Sequence, residues 1–95
     1  MLRWSGELTC MYFTADVDID YMPPRKNRIE PWRGTGIVRE GTVDLFGRYI
    51  TNHGEIIVVQ VRVYESRDES EQLDIVVFSF VGTGRFDVEE SDGKQ

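Results

Sequence analysis

Residues 55–64 of this chain, EIIVVQVRVY, decide its fold class. Six of these ten residues are isoleucine or valine, whose branched side chains favour a pleated sheet over a helix. Side chains alternate between the two faces of a strand, so both faces of this strand are largely apolar. A strand of this kind predicts cover on both sides, by a barrel interior, a second layer or another protein.

Strand alternation divides this segment into two faces. The first carries Ile57, Val59, Val61 and Val63, and the second carries Ile56, Val58 and Tyr64 with the polar Gln60 and Arg62. Polar groups in an apolar lining are typical of small-molecule sites, and an exposed apolar face is typical of protein interfaces. We therefore predict a ligand-binding or interface site formed by eight residues: Phe46, Arg48, Ile50, Val58, Gln60, Arg62, Tyr64 and Phe78.

The N-terminal residues 2–21 are predicted to form one long strand with an irregularity in its alternation. Apolar residues occupy even positions up to Tyr12 and odd positions from Phe13 onward, a phase change typical of a β-bulge. A hairpin at this point is disfavoured because residues 12–14 contain no Gly, Asn or Pro. We predict a continuous strand that bends there.

The remaining strands follow from the same alternation. A second strand covers 34–39, a tight turn lies at 40–41, and a third strand covers 42–50. A three-residue loop at 52–54 is predicted next, because it keeps Val43, Leu45 and Tyr49 off the face that carries Gln60 and Arg62. After a polar loop at 66–72, another strand covers 73–81, and residues 85–90 form a short strand or continue the previous one past a glycine kink.

The fold class follows from these strands. No stretch of 11 or more residues has helical periodicity, and the Gly-Thr-Gly triplets at 34–36 and 82–84 suit sharply bent strands. We predict an all-β antiparallel meander of five or six strands, curled into a small barrel or a strongly curved sheet, with no substantial helix. Residues 1–90 form the single domain, and residues 91–95 a disordered acidic and polar tail.

Charge and composition restrict the function classes. Residues 1–64 carry 8 acidic and 8 basic side chains, whereas residues 65–95 carry 9 acidic and 3 basic ones, so the net charge of −6 lies in the last third. Such a field repels nucleic acid and anionic membranes. Cys10 is the single cysteine, which excludes an intrachain disulfide, and no run approaches the ~20 apolar residues of a membrane helix. A cytoplasmic location is expected.

The remaining residues that could bind a ligand or a metal ion, or act in catalysis, have a simpler structural explanation. The irregular segment 23–33 carries predicted loop contacts, namely Arg25, Lys26, Arg28, Trp32 and Arg33, which could bind single-stranded nucleic acid but fit a solvated loop equally well. Asp16, Asp18 and Asp20 alternate on a strand, so they splay along its outer face rather than converge on a metal ion. His53 lies in a predicted turn and Cys10 in a strand, and no catalytic pair is predicted.

The sequence therefore favours a non-catalytic binding domain without a cofactor or metal. Its apolar sheet face predicts self-association, as a dimer, or binding to a partner protein. The alternative is a small-ligand-binding β-barrel, or an enzyme with a small pocket, in which Arg48, Gln60 and Arg62 are the polar anchors.

Overall fold

Six antiparallel strands form one sheet in a computed structural model that describes residues 1–23, 25–65 and 74–86. In chain order they are β1 (Leu2–Thr9), β2 (Phe13–Tyr21), β3 (Trp32–Gly41), β4 (Arg48–Thr51), β5 (Gly54–Glu65) and β6 (Asp74–Gly82). Their order across the sheet is β1-β2-β3-β6-β5-β4. The predicted all-β antiparallel fold is confirmed: β1–β3 and β4–β6 are each a meander, and β6 pairs with β3 to join them. None of the described residues belongs to a helix that could span a membrane.

The sheet curls into a half-barrel, and the turn between β4 and β5 closes it by forming hydrogen bonds with β1. Asn52, at the tip of the β4–β5 turn, donates its backbone N–H to Thr9 O at 3.0 Å. Its side-chain Oδ1 accepts from Thr9 N at 2.8 Å, and its Nδ2 donates to Glu7 O at 3.2 Å. The Asn52 amide thus occupies the place of a neighbouring strand, and it protects part of the free edge of β1.

The inner face of the half-barrel holds the core. It is filled by aromatic rings and by aliphatic residues from β1, β2, β5 and the β3–β4 connection. Its buried members are Leu8, Phe13, Ala15, Val17, Ile19, Trp32, Val43, Tyr49, Ile56, Val58, Phe78 and Phe80. Gly34 and Gly36 of β3 pair with Phe80 and Phe78 of β6. A Cβ at Gly36 would lie 2.9 Å from the Phe78 ring, so the first Gly-Thr-Gly triplet leaves room for the two rings.

The predicted continuous strand at residues 2–21 is wrong, because β1 and β2 form a hairpin. Cys10 N donates to Phe13 O at 3.0 Å, which closes a turn over Met11 and Tyr12. Neither turn residue has a positive φ, so the turn needs no glycine or asparagine. The Cys10 Sγ accepts from Tyr12 N at 3.4 Å, and the phase change in the sequence marks the turn rather than a bulge.

The predicted three-residue loop at 52–54 is also wrong. Thr51 pairs with Gly54, so only Asn52 and His53 form the turn, and Gly54 adopts a φ of 130°. Tyr49 then pairs with Ile56 on the inner face. The prediction failed because β5 contains a bulge: Val58 pairs with Phe80 and Gln60 with Ser79, which leaves Val59 unpaired.

The region between β2 and β4 differs from the prediction in three ways. β3 begins at Trp32 and continues through Gly41, so residues 40–41 are not a turn, and the predicted strand 42–50 is reduced to Arg48–Thr51. In the loop before β3, Arg25 pairs with Arg28 around a turn in which Asn27 has a φ of 59°. At the other end, β6 ends at Gly82 and residues 85 and 86 are not in a strand. The predicted loop 66–72, residues 87–90 of the predicted last strand and the predicted tail 91–95 lie outside the described residues.

Candidate functional site

The outer face of the sheet combines charged and apolar side chains and is the main candidate site. Cross-strand partners lie on the same face of a sheet, so the pairing register orders this face in rows. One row runs from Glu7 of β1 through Asp16, Ile37 and Val77 to Arg62 of β5. The next row runs through Ser5, Asp18, Thr35, Ser79 and Gln60.

The half of the outer face over β1 and β2 is acidic. It carries Glu7, Asp16, Asp18 and Asp20, which confirms that the three alternating aspartates lie on the outer side of the strand. Asp20 Oδ1 accepts from Arg3 Nε at 3.0 Å, and this hydrogen bond lowers the pKa of the carboxyl. Asp16 is 3.4 Å from Arg39 Nη1, and Asp18 accepts a hydrogen bond from Ser5 Oγ. The aspartates are therefore held apart, each with its own partner.

The other half, over β3, β6, β5 and β4, is apolar with an arginine rim. Its apolar members, which we call the outer apolar patch, are Ile37, Ile50, Ile57, Tyr64, Ile75, Val77 and Val81. Ile37 is 50% exposed and Ile50 80% exposed, and three more of these side chains lie at the water-accessible surface. Arg33, Arg48 and Arg62 flank the patch. An exposed apolar surface with a charged rim is typical of an interaction site.

A shallow depression of about 630 Å³ lies where the two halves of the outer face meet. Its floor is the backbone of three neighbouring strands, and its lining consists of Ser5, Gly6, Glu7, Asp16, Val17, Asp18, Thr35, Gly36, Ile37 and Val77. Acidic groups form one side of the depression and apolar groups the other. The surface can therefore receive a side chain or ridge that carries both apolar atoms and positive charge.

The structure separates the eight residues of the predicted site into three places. Arg48, Ile50, Gln60, Arg62 and Tyr64 lie on the outer face. Val58 and Phe78 are buried on the inner face, so their predicted place beside Gln60 and Arg62 is wrong. The bulge at Val59 is the cause, because an extra residue moves every following side chain to the opposite face. Phe46 belongs to neither face.

The three predicted polar anchors, Arg48, Gln60 and Arg62, are exposed on the outer face. Arg48 Nη1 donates to Glu55 Oε2 at 3.2 Å, and Glu55 Oε1 accepts from Thr83 Oγ1 at 2.8 Å. The Thr83 hydrogen bond, together with Arg48, lowers the pKa of the Glu55 carboxyl. The Gln60 amide, with its oxygen toward Arg62, accepts from Nε and Nη2 at 3.1 Å.

Phe46 lies in an exposed turn between β3 and β4, at one end of the half-barrel. Asp44 O accepts from Gly47 N at 3.0 Å, and this closes a turn in which Phe46 has a φ of 64°. The ring is 73% exposed. A positive φ is unfavourable for a bulky residue, and such strain concentrates at functional positions. Thr42 N donates to Tyr12 O, so the exposed Tyr12 side chain lies at the same end.

The Phe46→Gly variant is expected to be more stable than Phe46→Ala by about 1 kcal/mol, because glycine adopts this backbone conformation without steric cost. Both variants remove the ring, so the comparison isolates the backbone term. Urea unfolding of the two proteins measures it. Equal stabilities would mean that residue 46 does not hold a left-handed conformation in solution.

The five predicted loop contacts do not form one site, because they lie in three different places. Trp32 lies in β3 and is buried, so its predicted place in the loop is wrong; its Nε1 donates to Gly84 O at 2.9 Å. Arg33 lies on the outer face of the same strand. Arg25, Lys26 and Arg28 are exposed in the loop before β3, and Arg28 Nε is 3.9 Å from Glu30 Oε2.

His53 belongs to an aromatic cluster at the end where the half-barrel closes. Its ring lies 4.4 Å from Trp4 and 5.9 Å from Phe86, and Phe86 also packs on Tyr21 and Trp32. His53 Nε2 lies 3.1 Å from Glu7 O. These contacts are structural, since they fix the β4–β5 turn against β1. Across residues 1–23, 25–65 and 74–86, no three His, Cys, Asp or Glu side chains are arranged to hold a metal ion.

Two features of the site were missed by sequence reasoning. The acidic half includes Glu7 of β1, which faces Asp16 only because the hairpin at residues 10–13 folds β1 back on β2. The sequence carried a weak signal for this pairing, because Arg3 meets the opposite charge of Asp20 but Glu7 meets the like charge of Asp16. The aromatic cluster had no local signal, since its members come from five separate segments.

No protein-family model matches this chain, and neither the curated proteins nor the solved structures compared with it contain a match.

Proposed function

We propose that this protein is a non-catalytic interaction domain that binds another protein chain, its own or a different one, through the outer face of the sheet. The observation that carries the proposal is the outer apolar patch. Ile37 pairs with Val77 and Ile75 with Tyr64, so these four side chains adjoin one another across β3, β6 and β5. Val81 and Ile57 form a second apolar pair on the far side of the polar row of Thr35, Ser79 and Gln60. Burial of such a surface against a partner is favourable at roughly 25 cal/mol per Å² before the costs of association.

The surroundings of the patch support a protein partner over a small molecule. The inner face, where a barrel would hold its ligand, is occupied by the rings of Phe13, Phe78 and Phe80. The outer depression is open and wide, with charged groups at its margin. Arginines at the rim of an apolar centre are characteristic of protein interfaces.

Site-specific photocrosslinking tests this proposal. A benzophenone amino acid in place of Val81, at the margin of the patch, is expected to form an adduct with a protein chain, either in purified protein or in an extract of the source cells. Adding Ile37→Lys to the labelled protein should abolish the adduct, because it puts a charge into the apolar surface beside Val77.

The control is Ile29→Lys, which adds the same charge to an exposed isoleucine in the loop before β3. This variant should leave the adduct unchanged. Absence of a protein adduct at position 81, or an adduct that Ile37→Lys does not reduce, would contradict the proposal.

A further inference from the structure

We propose, building on the function above, that the outer face anchors an arginine side chain of its protein partner in the depression where the acidic and apolar halves meet. Three carboxylates line this depression, those of Glu7, Asp16 and Asp18, and no basic residue of the described part of the chain does. Ile37 and Val77 form its apolar wall. Arginine suits both surroundings, because its charged guanidinium follows an apolar stem.

The carboxylates of the depression are not balanced within the chain. Glu7 lies directly opposite Asp16 in the β1–β2 register, and like charges in this position repel each other. Of the ion pairs among the described residues, one reaches this group: Arg39 Nη1 lies 3.4 Å from Asp16 Oδ2, with both side chains more than half exposed. Three carboxylates and one arginine leave a net charge of −2.

Two other acidic side chains of the outer face already have a close arginine. Asp20 Oδ1 accepts from Arg3 Nε at 3.0 Å, and Glu55 Oε2 accepts from Arg48 Nη1 at 3.2 Å. A positive charge supplied by a partner is therefore favoured most strongly at the depression, where it also relieves the repulsion between Glu7 and Asp16.

The spacing of the carboxylates favours an organic cation over a metal ion. No three His, Cys, Asp or Glu side chains are arranged to hold a metal ion in the described ranges of the chain. Opposite residues such as Glu7 and Asp16 are about 5 Å apart, and Asp16 and Asp18 are roughly 7 Å apart along β2. A guanidinium has five N–H donors in a planar fork and can bond two carboxylates at once, whereas an ammonium is a compact point charge.

The apolar wall indicates which residue accompanies the arginine in the partner. Ile37 is 50% exposed, pairs with Val77 and lies opposite Asp16 on the neighbouring strand. In an extended segment, every second side chain lies on the same face, about 7 Å from the next. An apolar residue two positions from the arginine can therefore reach Ile37 and Val77, and we expect a partner segment with this spacing.

Chemical-shift titration of the isotope-labelled full-length chain tests the anchor. The probe is a synthetic peptide of three Arg-Ser-Val-Ser repeats, which places arginine and valine on one face of an extended chain. In low-salt buffer this peptide is expected to shift the backbone amides of Gly6, Val17 and Gly36, which line the depression. A peptide with glutamate in place of each arginine should not shift them.

Two double variants locate the binding. Glu7→Gln with Asp18→Asn should weaken binding of the arginine peptide by about tenfold or more, because two carboxylates of the depression lose their charge and keep their shape. Glu40→Gln with Asp44→Asn removes two exposed carboxylates outside the depression and should weaken binding by less than about twofold. Lysine in place of each arginine of the peptide should also weaken binding.

Absence of shifts at the depression with millimolar arginine peptide would overturn the anchor, and so would equal binding by the Glu7→Gln, Asp18→Asn variant. Equal shifts caused by spermine would also overturn it, because they would assign the site to a free polyamine. These failures differ from failure of the proposed function, since a Val81 adduct with a protein would still retain the outer face as an interaction surface.

Discussion

Replacing Gly82 with alanine is expected to destabilise the fold by about 3 kcal/mol or more, the upper range for overpacking a core. A Cβ at this position would overlap Cε2 and Nε1 of the Trp32 indole. The indole cannot move aside easily, since it is buried and its Nε1 donates to Gly84 O. Urea unfolding followed by tryptophan fluorescence measures the loss, and a red-shifted emission would report displacement of Trp32.

Gly84→Ala is the matched control from the same Gly-Thr-Gly triplet. Among residues 1–23, 25–65 and 74–86, no atom lies within 4 Å of a Cβ at Gly84, and this residue has no positive φ. The variant should be within about 0.5 kcal/mol of the wild type, as surface substitutions usually are. Equal effects at Gly82 and Gly84 would contradict the position of Trp32 over β6.

Phe78→Ala is expected to cost 3–5 kcal/mol, roughly the range for a buried phenylalanine. The Phe78 ring is 1% exposed and packs between Phe13 and Phe80, with ring centroids 5.4 and 5.6 Å away. A domain of this size has a stability of roughly 5–14 kcal/mol, so the variant approaches unfolding.

Phe46→Ala supplies the control for this truncation, because Phe46 is the same residue type with its ring exposed. Its stability should stay within about 1 kcal/mol of the wild type. Both changes are measured by urea unfolding at one temperature. A loss below about 1 kcal/mol for Phe78→Ala would mean that the inner face is not the core of the half-barrel.

The strands of this fold were predictable because their alternation is strong. In β2, Val17 and Ile19 are buried while Asp16 and Asp18 are exposed, and the sequence shows this pattern directly. β5 and β6 were recognised from their β-branched residues. These local signals are sufficient for the all-β class and for five of the strand positions in outline.

The connections were less predictable, because each depends on a feature without a strong local signal. The turn over Met11 and Tyr12 uses ordinary negative φ values, so it lacks the glycine or asparagine that marks most hairpins. Trp32 follows a proline-rich loop, and it starts a strand because it pairs with Tyr21 and packs on Gly82 and Phe86.

The candidate site was predicted in part. Gln60 and Arg62 share a face with Arg48, as the sequence indicated, but Val58 lies on the opposite face. Both phases of alternation in residues 55–64 are apolar, so the pattern contains no sign of a bulge at Val59. The pairing of β5 with β6 determines the bulge, since Phe80 and Phe78 hold Val58 and Val61 on the inner side.

The bulge at Val59 is therefore the feature on which the β5 part of the outer face, and the proposed function, depend. Nuclear Overhauser contacts between side chains test it directly in solution. We expect contacts of the Val61 methyl groups with the Phe78 ring, and of the Arg62 methylene groups with the Val77 methyl groups, because these residues pair. Contacts of Arg62 with Phe78 in place of Val77 would contradict it, since they would return Arg62 to the inner face.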